Sequence, residues 1–194
     1  YSILSTNSMR TFNQVTKKIL FKIIDTLENK NNNHKTNGEF WLMTNLKSEN
    51  LHTVFDVGAN IGEWTLQASK IFSKATVYSF EPIPFTFNLL STNTAPFGQI
   101  RKFNIALSNE NSQVSMNFYE SNSIFSSMFQ SSLVKDEFQS VEVNCVKGDD
   151  FCKKFNIELI DFLKIDTEGS EFQILLGFQE MIKNGRIRFS QFEY

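Results

Sequence analysis

The amino-acid sequence predicts an α/β domain built on a mostly parallel central sheet with helices on both faces. Three observations predict it. From Leu51 onward, short apolar runs alternate with segments of helical period, and strands separated by helices imply crossover connections. The first of these runs ends in the glycine-rich turn of VFDVGANIGEWTLQ (Val54 to Gln67), which passes directly into an amphipathic stretch. The run Ile160–Ile165 is apolar apart from Asp161 and Lys164, as befits a strand covered on both sides.

The elements follow in order. Phe12, Val15, Ile19, Ile23 and Leu27 recur every three or four residues, which predicts an amphipathic helix from about Arg10 to Glu28. Arg10, Lys17, Lys18 and Lys22 lie on its other face, and a solvated face is the expectation over a membrane-surface role. Asn29 to Asn37 holds five Asn in nine residues and reads as a linker, so residues 1–37 form an N-terminal helix and linker and 38–194 the domain. His52–Val57 is the first strand, and Ile61, Trp64, Ala68 and Ile71 form the inward stripe of the next helix. Ala75–Phe80 is the second strand. Pro84 opens a helix to about Asn93, with Phe85 and Leu89 inward. Ile100–Leu107 is a third strand. Val114–Tyr119 and Val141–Val146 alternate apolar and polar residues and read as a hairpin-like insertion, joined across a serine-rich loop, Ser121 to Ser132. Asp150 caps a short helix to about Phe155. After the apolar strand, Ser170 and Gln173 fit a capping box for one helix to about Lys183, Gly185 ends it, and Arg186–Tyr194 is a last strand.

Composition narrows the function classes. A formal net charge of −2 carries no basic field for nucleic acid. No apolar run reaches the roughly 20 residues that span a bilayer. Cys145 and Cys152, with His34 and His52 distant in sequence, give no metal-type spacing, so no metal is expected and two ordinary thiols in a reducing, cytoplasmic compartment are. Oligomeric state has no signature. The 21 Phe read as codon bias as much as physics.

In such sheets ligands lie beyond the carboxyl ends of the strands, so the residues that follow each strand form one candidate set. The first turn supplies Asp56, Gly58, Ala59, Asn60 and Gly62; the glycines allow a tight turn and close approach, and backbone N–H groups there can hold a carboxylate. The second strand supplies Glu81 and Pro82, with Glu81 placed to accept hydrogen bonds from ribose hydroxyls. The third supplies Ala106 and Leu107. The apolar strand supplies Asp166 and Glu168, either of which can take a hydroxyl proton or face a cation, while Glu171 fits helix capping. The order D-x-G-x-N-x-G differs from G-x-G-x-x-G, and an acid at the strand end disfavours a pyrophosphate. It suits a cationic cofactor such as S-adenosylmethionine. An NAD-dependent oxidoreductase is the rival reading, and a catalytically inactive binding module a second.

VFDVGANIGEWT, SFEPIPFTFNLL, FNIALSNENSQVSMNFYE, VEVNCVKGDDF and IDFLKIDTEGSEFQILLGF together resemble the FkbM family of S-adenosylmethionine-dependent methyltransferases, in order and spacing, from about Leu51 to Tyr194. The resemblance implies a Rossmann-like class I methyltransferase fold. It implies an S-adenosyl-L-methionine-binding domain over 38–194 and methyl transfer to an oxygen of a small-molecule or glycan acceptor, on a sugar, glycan or polyketide-type product. It places Ser126, Ser127 and Met128 in a small-residue loop, and Asp149 and Asp150 as paired acids that open a helix. Two departures stand out. Lys147–Gly148 replaces the usual Leu and Thr, and the chain stops at Tyr194, where the fold normally adds an antiparallel strand pair. The expectation is a domain either truncated at its C-terminus or degenerate there.

Overall fold

The computed structural model describes residues 39–118 and 139–192. The predicted helix of residues 10–28, the Asn-rich linker and the serine-rich loop with Ser126, Ser127 and Met128 lie outside them. The chain divides into two compact units, Tyr1–Ser48 and Glu49–Tyr194. In the first, the described residues form helix α1 (Glu39–Asn45) and a 3-10 turn, Leu46–Ser48.

The second unit carries β1 (Thr53–Val57), α2 (Glu63–Ile71), β2 (Thr76–Phe80), α3 (Pro84–Asn93), β3 (Ile100–Phe103), β4 (Ala106–Ser108), β5 (Ser112–Phe118), β6 (Gln139–Lys147), α4 (Gly148–Lys154), β7 (Ile160–Ile165), α5 (Glu171–Gly177), α6 (Gln179–Lys183) and β8 (Ile187–Phe192). Five strands make a parallel sheet in the order β3-β2-β1-β7-β8. The chain moves outward through β2 and β3, then returns to the other side of β1. That reversal between β1 and β7 is the topological switch point, where open α/β sheets bind ligands.

Both faces of the sheet are covered, and the strand period divides the work. Phe55, Val57, Tyr78, Phe80, Leu163 and Ile165 share one face, at matching registers across β1, β2 and β7. They form the core with Phe151 of α4 and Ile174, Phe178 and Met181 of the α5–α6 region. Aromatic rings dominate it: Phe80 and Phe151 meet edge-on at 4.8 Å, and Phe103 and Phe151 at 4.9 Å. Much of the phenylalanine content is therefore core. Val54, Val77 and Phe162 face the opposite way, where Trp64 and Phe72 pack on Phe162.

Four expectations are corrected here. The third strand is two strands in different sheets: β3 pairs with β2, while β4 pairs with β6 in a second sheet of order β4-β6-β5. Asn104 pins the bend between them by donating from its side chain to the Glu81 and Pro82 carbonyls, both at 2.9 Å. The hairpin-like insertion is the antiparallel β5–β6 pair of that sheet. On α3, Thr86 and Leu90 are buried while Phe85 is 38% exposed, because Leu90 and Thr94 pack under the Gly62 turn. On α2 the buried residues are Trp64, Thr65, Ala68 and Ser69, so polar Thr65 and Ser69 replace Ile61 and Ile71 of the expected stripe. The last predicted helix breaks in two at Phe178, and Ser170 makes no side-chain cap. The break has a physical cause: the buried Asp149 carboxylate accepts the N–H groups of Glu180 and Met181, at 3.0 and 3.1 Å, and so caps α6 from α4.

Candidate functional site

The switch point is bounded by three strand ends, and each carries an acid. The β1 turn runs through Gly58 (φ +82), Asn60 (φ +48) and Gly62 (φ +91), all in the left-handed region. At Gly58 a Cβ would sit 1.9 Å from the Asp166 carbonyl oxygen, so glycine is required by the close approach of β7's end to the turn. The turn is clamped to its neighbours. Gly58 and Ala59 donate their N–H groups to the Phe80 carbonyl at 3.0 and 2.9 Å, and Asp166 donates to the Val57 carbonyl at 2.9 Å. The Asn60 N–H goes to Glu81 and the Gly62 N–H to the Ala59 carbonyl. The amides of Gly58, Ala59, Asn60 and Gly62, four of those expected near a cofactor's carboxylate, brace the turn here.

Glu81 lies beside that turn. One carboxylate oxygen accepts the Asn60 N–H at 3.1 Å, the other the Ile83 N–H at 2.9 Å. Burial pushes its pKa up to about 7, against the two amide hydrogen bonds, and the Asp56 charge adds to the rise. Glu81 and the glycine turn, far apart in sequence, therefore share one wall.

Asp56 sits below the mouth rather than in it. It is fully buried on the α2 face, in a polar row that crosses three strands at one register: Ser79, Asp56, Lys164. The Thr65 hydroxyl of α2 donates to Asp56 Oδ2 and lies 2.9 Å from the Ser79 hydroxyl. Lys164 Nζ is 3.5 Å from Asp56 Oδ1 and 3.2 Å from Asp166 Oδ2. It also lies 5.5 Å from the Trp64 ring centroid. Asp56, expected among the cofactor-binding residues, is fully buried and partnered by Thr65 and Lys164. A carboxylate inside a strand covered on both faces must find buried partners, and Thr65 and Lys164 supply them.

Asp166 is the partly exposed member of this group, its side chain 26% accessible. Glu168 follows it with φ +54, an unfavourable conformation for a side chain, and is exposed. Burial raises its pKa, and the charges of Asp166 and Glu171 add to the rise. Glu171 has a structural role. Burial pushes its carboxyl up, but hydrogen bonds outweigh that and hold it low, chiefly from its own amide, Gly169 and Thr167. Asp161 belongs to the opposite end of β7, where it accepts the His52 and Thr53 amides and pairs with Arg188 at 2.9 Å.

Of the remaining candidates, Leu107 is a core side chain on β4, and Ala106 pairs with Cys145 of the second sheet. Pro82 joins the Glu81 wall through its carbonyl, which Asn104 holds. Lys164, Thr65 and Ser79 escaped the sequence reading. The usable signal was a lysine inside an apolar strand. Among the described residues no cluster of His, Cys, Asp or Glu is arranged for a metal, and no helix is long and apolar enough to cross a membrane.

The donor set fits a cationic cofactor: Asp56, Glu81 and Asp166 surround the switch point with Lys164 as the ammonium among them. Comparison with known proteins identifies the family. The chain is 24% identical over 153 residues to the 2-O-methyltransferase NoeI of Sinorhizobium fredii, which covers 72% of this chain and 62% of that protein. It is 28% identical over 156 residues to the 31-O-demethyl-FK506 methyltransferase FkbM of Streptomyces tacrolimicus, covering 66% and 59%. Against the hexuronic acid methyltransferase AglP of Haloferax volcanii it is 26% identical over 140 residues, covering 71% and 54%. The matched region thus spans little more than half of each of these relatives. The Methyltransferase FkbM domain matches residues 56–194, from the buried acid of β1 to the final residue, and the chain belongs to that family.

Proposed function

We propose that this domain is an S-adenosylmethionine-dependent O-methyltransferase acting on a hydroxyl of a sugar, glycan or related natural product. The observation that carries the reading is the wall formed by Glu81 and the Gly58–Gly62 turn at the switch point, with Asp166 at the adjoining strand end. A phosphate-bearing dinucleotide meets repulsion there, whereas a cofactor with an amine and a sulfonium meets complementary charge. The names of NoeI and FkbM support an oxygen acceptor, and those of FkbM and AglP a natural-product or sugar class. Two free, buried cysteines fit a reducing compartment such as the cytoplasm.

When bound, S-adenosylmethionine supplies an activated methyl group on a positively charged sulfur. The chain's own residues do the rest. Each Glu81 oxygen accepts one amide in this structure and keeps a second lone pair for a ribose hydroxyl. Gly58, Ala59, Asn60 and Gly62 shape the wall, with Pro82 continuing it. Asp56 supports the floor through Thr65 and Lys164. Asp166 or Glu168 accepts the proton of the acceptor hydroxyl, a contribution of about 10²–10⁴-fold. Orientation of that hydroxyl against the methyl group supplies more, roughly 7–11 kcal/mol.

Calorimetry with S-adenosylhomocysteine and with NAD separately tests the class: binding of the first alone is expected, and binding of NAD alone refutes it. Asp166→Asn and Glu168→Gln test the base. At least one is expected to lower turnover of a hydroxyl acceptor while S-adenosylhomocysteine affinity holds. Unchanged turnover in both removes the assignment.

A further inference from the structure

Two carboxylates and one ammonium meet at the ends of β1 and β7, and their charges do not cancel. Asp56 is fully buried, the Lys164 side chain is 4% exposed and Asp166 reaches the mouth. Counting Asp56 and Asp166 at −1 each and Lys164 at +1 leaves −1 on the triad. Glu81, whose charge reaches Asp56, and Glu168, which feels Asp166, are the neighbouring acids. A buried lysine between two acids is a costly arrangement. A smaller apolar or neutral polar pair fills such space at less cost to stability.

We propose that Lys164 is a positioning residue that sets the charge of the cleft: it ties the Asp166 carboxylate to the strand end and cancels one of two negative charges, so that a cationic methyl donor is not held too tightly to react. This rests on the methyl-transfer reading above. The chemistry gives the reason. The acceptor oxygen forms a C–O bond as the C–S bond breaks, the electron pair of that bond goes to sulfur, and the hydroxyl proton goes to Asp166 or Glu168. The positive charge on sulfur is therefore lost as the reaction proceeds. Negative charge beside it stabilises the reactant state more than the transition state, and binding of that kind slows the chemical step. Lys164 moderates it while holding Asp166 in place.

The test compares affinities for S-adenosylmethionine, which carries the sulfonium, and S-adenosylhomocysteine, which does not. The ratio of the two reads the charge of the cleft and is insensitive to general loosening of the site. Isothermal calorimetry at about pH 8 on Lys164→Met is expected to raise the preference for S-adenosylmethionine by about tenfold, the order of effect of one nearby unit charge in a partly buried site. Lys164→Arg is expected to keep the wild-type ratio. A second pair carries the same test without an unpaired buried charge: Asp56→Asn lowers the ratio, and Asp56→Asn with Lys164→Met restores it to within about threefold of wild type. An unchanged ratio on removal of Lys164 in both backgrounds overturns the proposal, as does equal loss of affinity for both ligands. Wild-type protein that binds neither ligand overturns the functional reading and this inference with it.

Discussion

Replacement of Gly58 by alanine separates two reasons for a glycine. The residue has φ +82, so any side chain incurs left-handed strain of roughly 1–2 kcal/mol. In addition the new Cβ would lie 1.9 Å from the Asp166 carbonyl oxygen and 2.9 Å from its carbonyl carbon. No rotamer change relieves a backbone contact, so β7's end must move away from the turn. That strains the Asp166 N–H bond to Val57 at 2.9 Å, worth about 1 kcal/mol, and adds an overpacking cost of roughly 1–3 kcal/mol. The total for Gly58→Ala is about 3–6 kcal/mol. Gly185→Ala is the matched control: its φ is +64 and a Cβ there meets nothing within 4 Å, so only the strain applies, about 1 kcal/mol. Urea denaturation followed by circular dichroism gives both values. If Gly58→Ala costs no more than Gly185→Ala, the close approach of β7 to the glycine turn is not what fixes glycine at this position. The same movement displaces Asp166, so a soluble Gly58→Ala protein is expected to lose turnover as well.

Two further predictions follow from the buried carboxylates. Glu81 has its pKa raised from 4.5 to about 7 in the folded protein, so the folded state holds its proton more tightly than the unfolded state. The stability this contributes is fully present below about pH 4.5 and is lost as pH rises through about 7; Glu81→Gln is expected to remove that decline from the pH dependence of urea unfolding. Ribose hydroxyls donate to the ionised carboxylate, so S-adenosylhomocysteine affinity is expected to rise between about pH 6 and about pH 8 in the wild type and to stay flat in the variant. Thr65→Val removes the hydroxyl that serves Asp56 and contacts Ser79 while keeping the volume; an unserved buried charged group predicts a loss of roughly 1–3 kcal/mol in chemical denaturation. Thr65→Ser is expected to recover most of it, and a neutral Thr65→Val argues against the polar row as a coupled unit.

The strands that build the site were legible because β1, β2 and β7 are covered on both faces, and an apolar run of that length has few alternatives. The glycine turn and the acid after β2 were legible for a related reason: positive φ and strand ends restrict which residues fit. Helix faces were read less well. On α3 the inward positions are Thr86 and Leu90, because the Gly62 turn leaves room for Leu90 and Thr94 beneath it. Nothing in the local pattern of α3 reports where that turn lies. The break of the third strand was equally hidden, since it depends on Asn104 reaching the carbonyls of Glu81 and Pro82, more than twenty residues earlier.

By itself the sequence determined the α/β class, the order of the main strands, the switch-point turn and the acids around it, because each follows from hydrophobic period or local backbone chemistry. Only the tertiary structure decided what those acids touch. Asp56 and Lys164 are more than one hundred residues apart, and they meet because β1 and β7 pair in one register, Asp56 opposite Lys164. Register is a property of two strands together. It makes Asp56 the partner of a buried lysine and leaves Asp166 at the mouth.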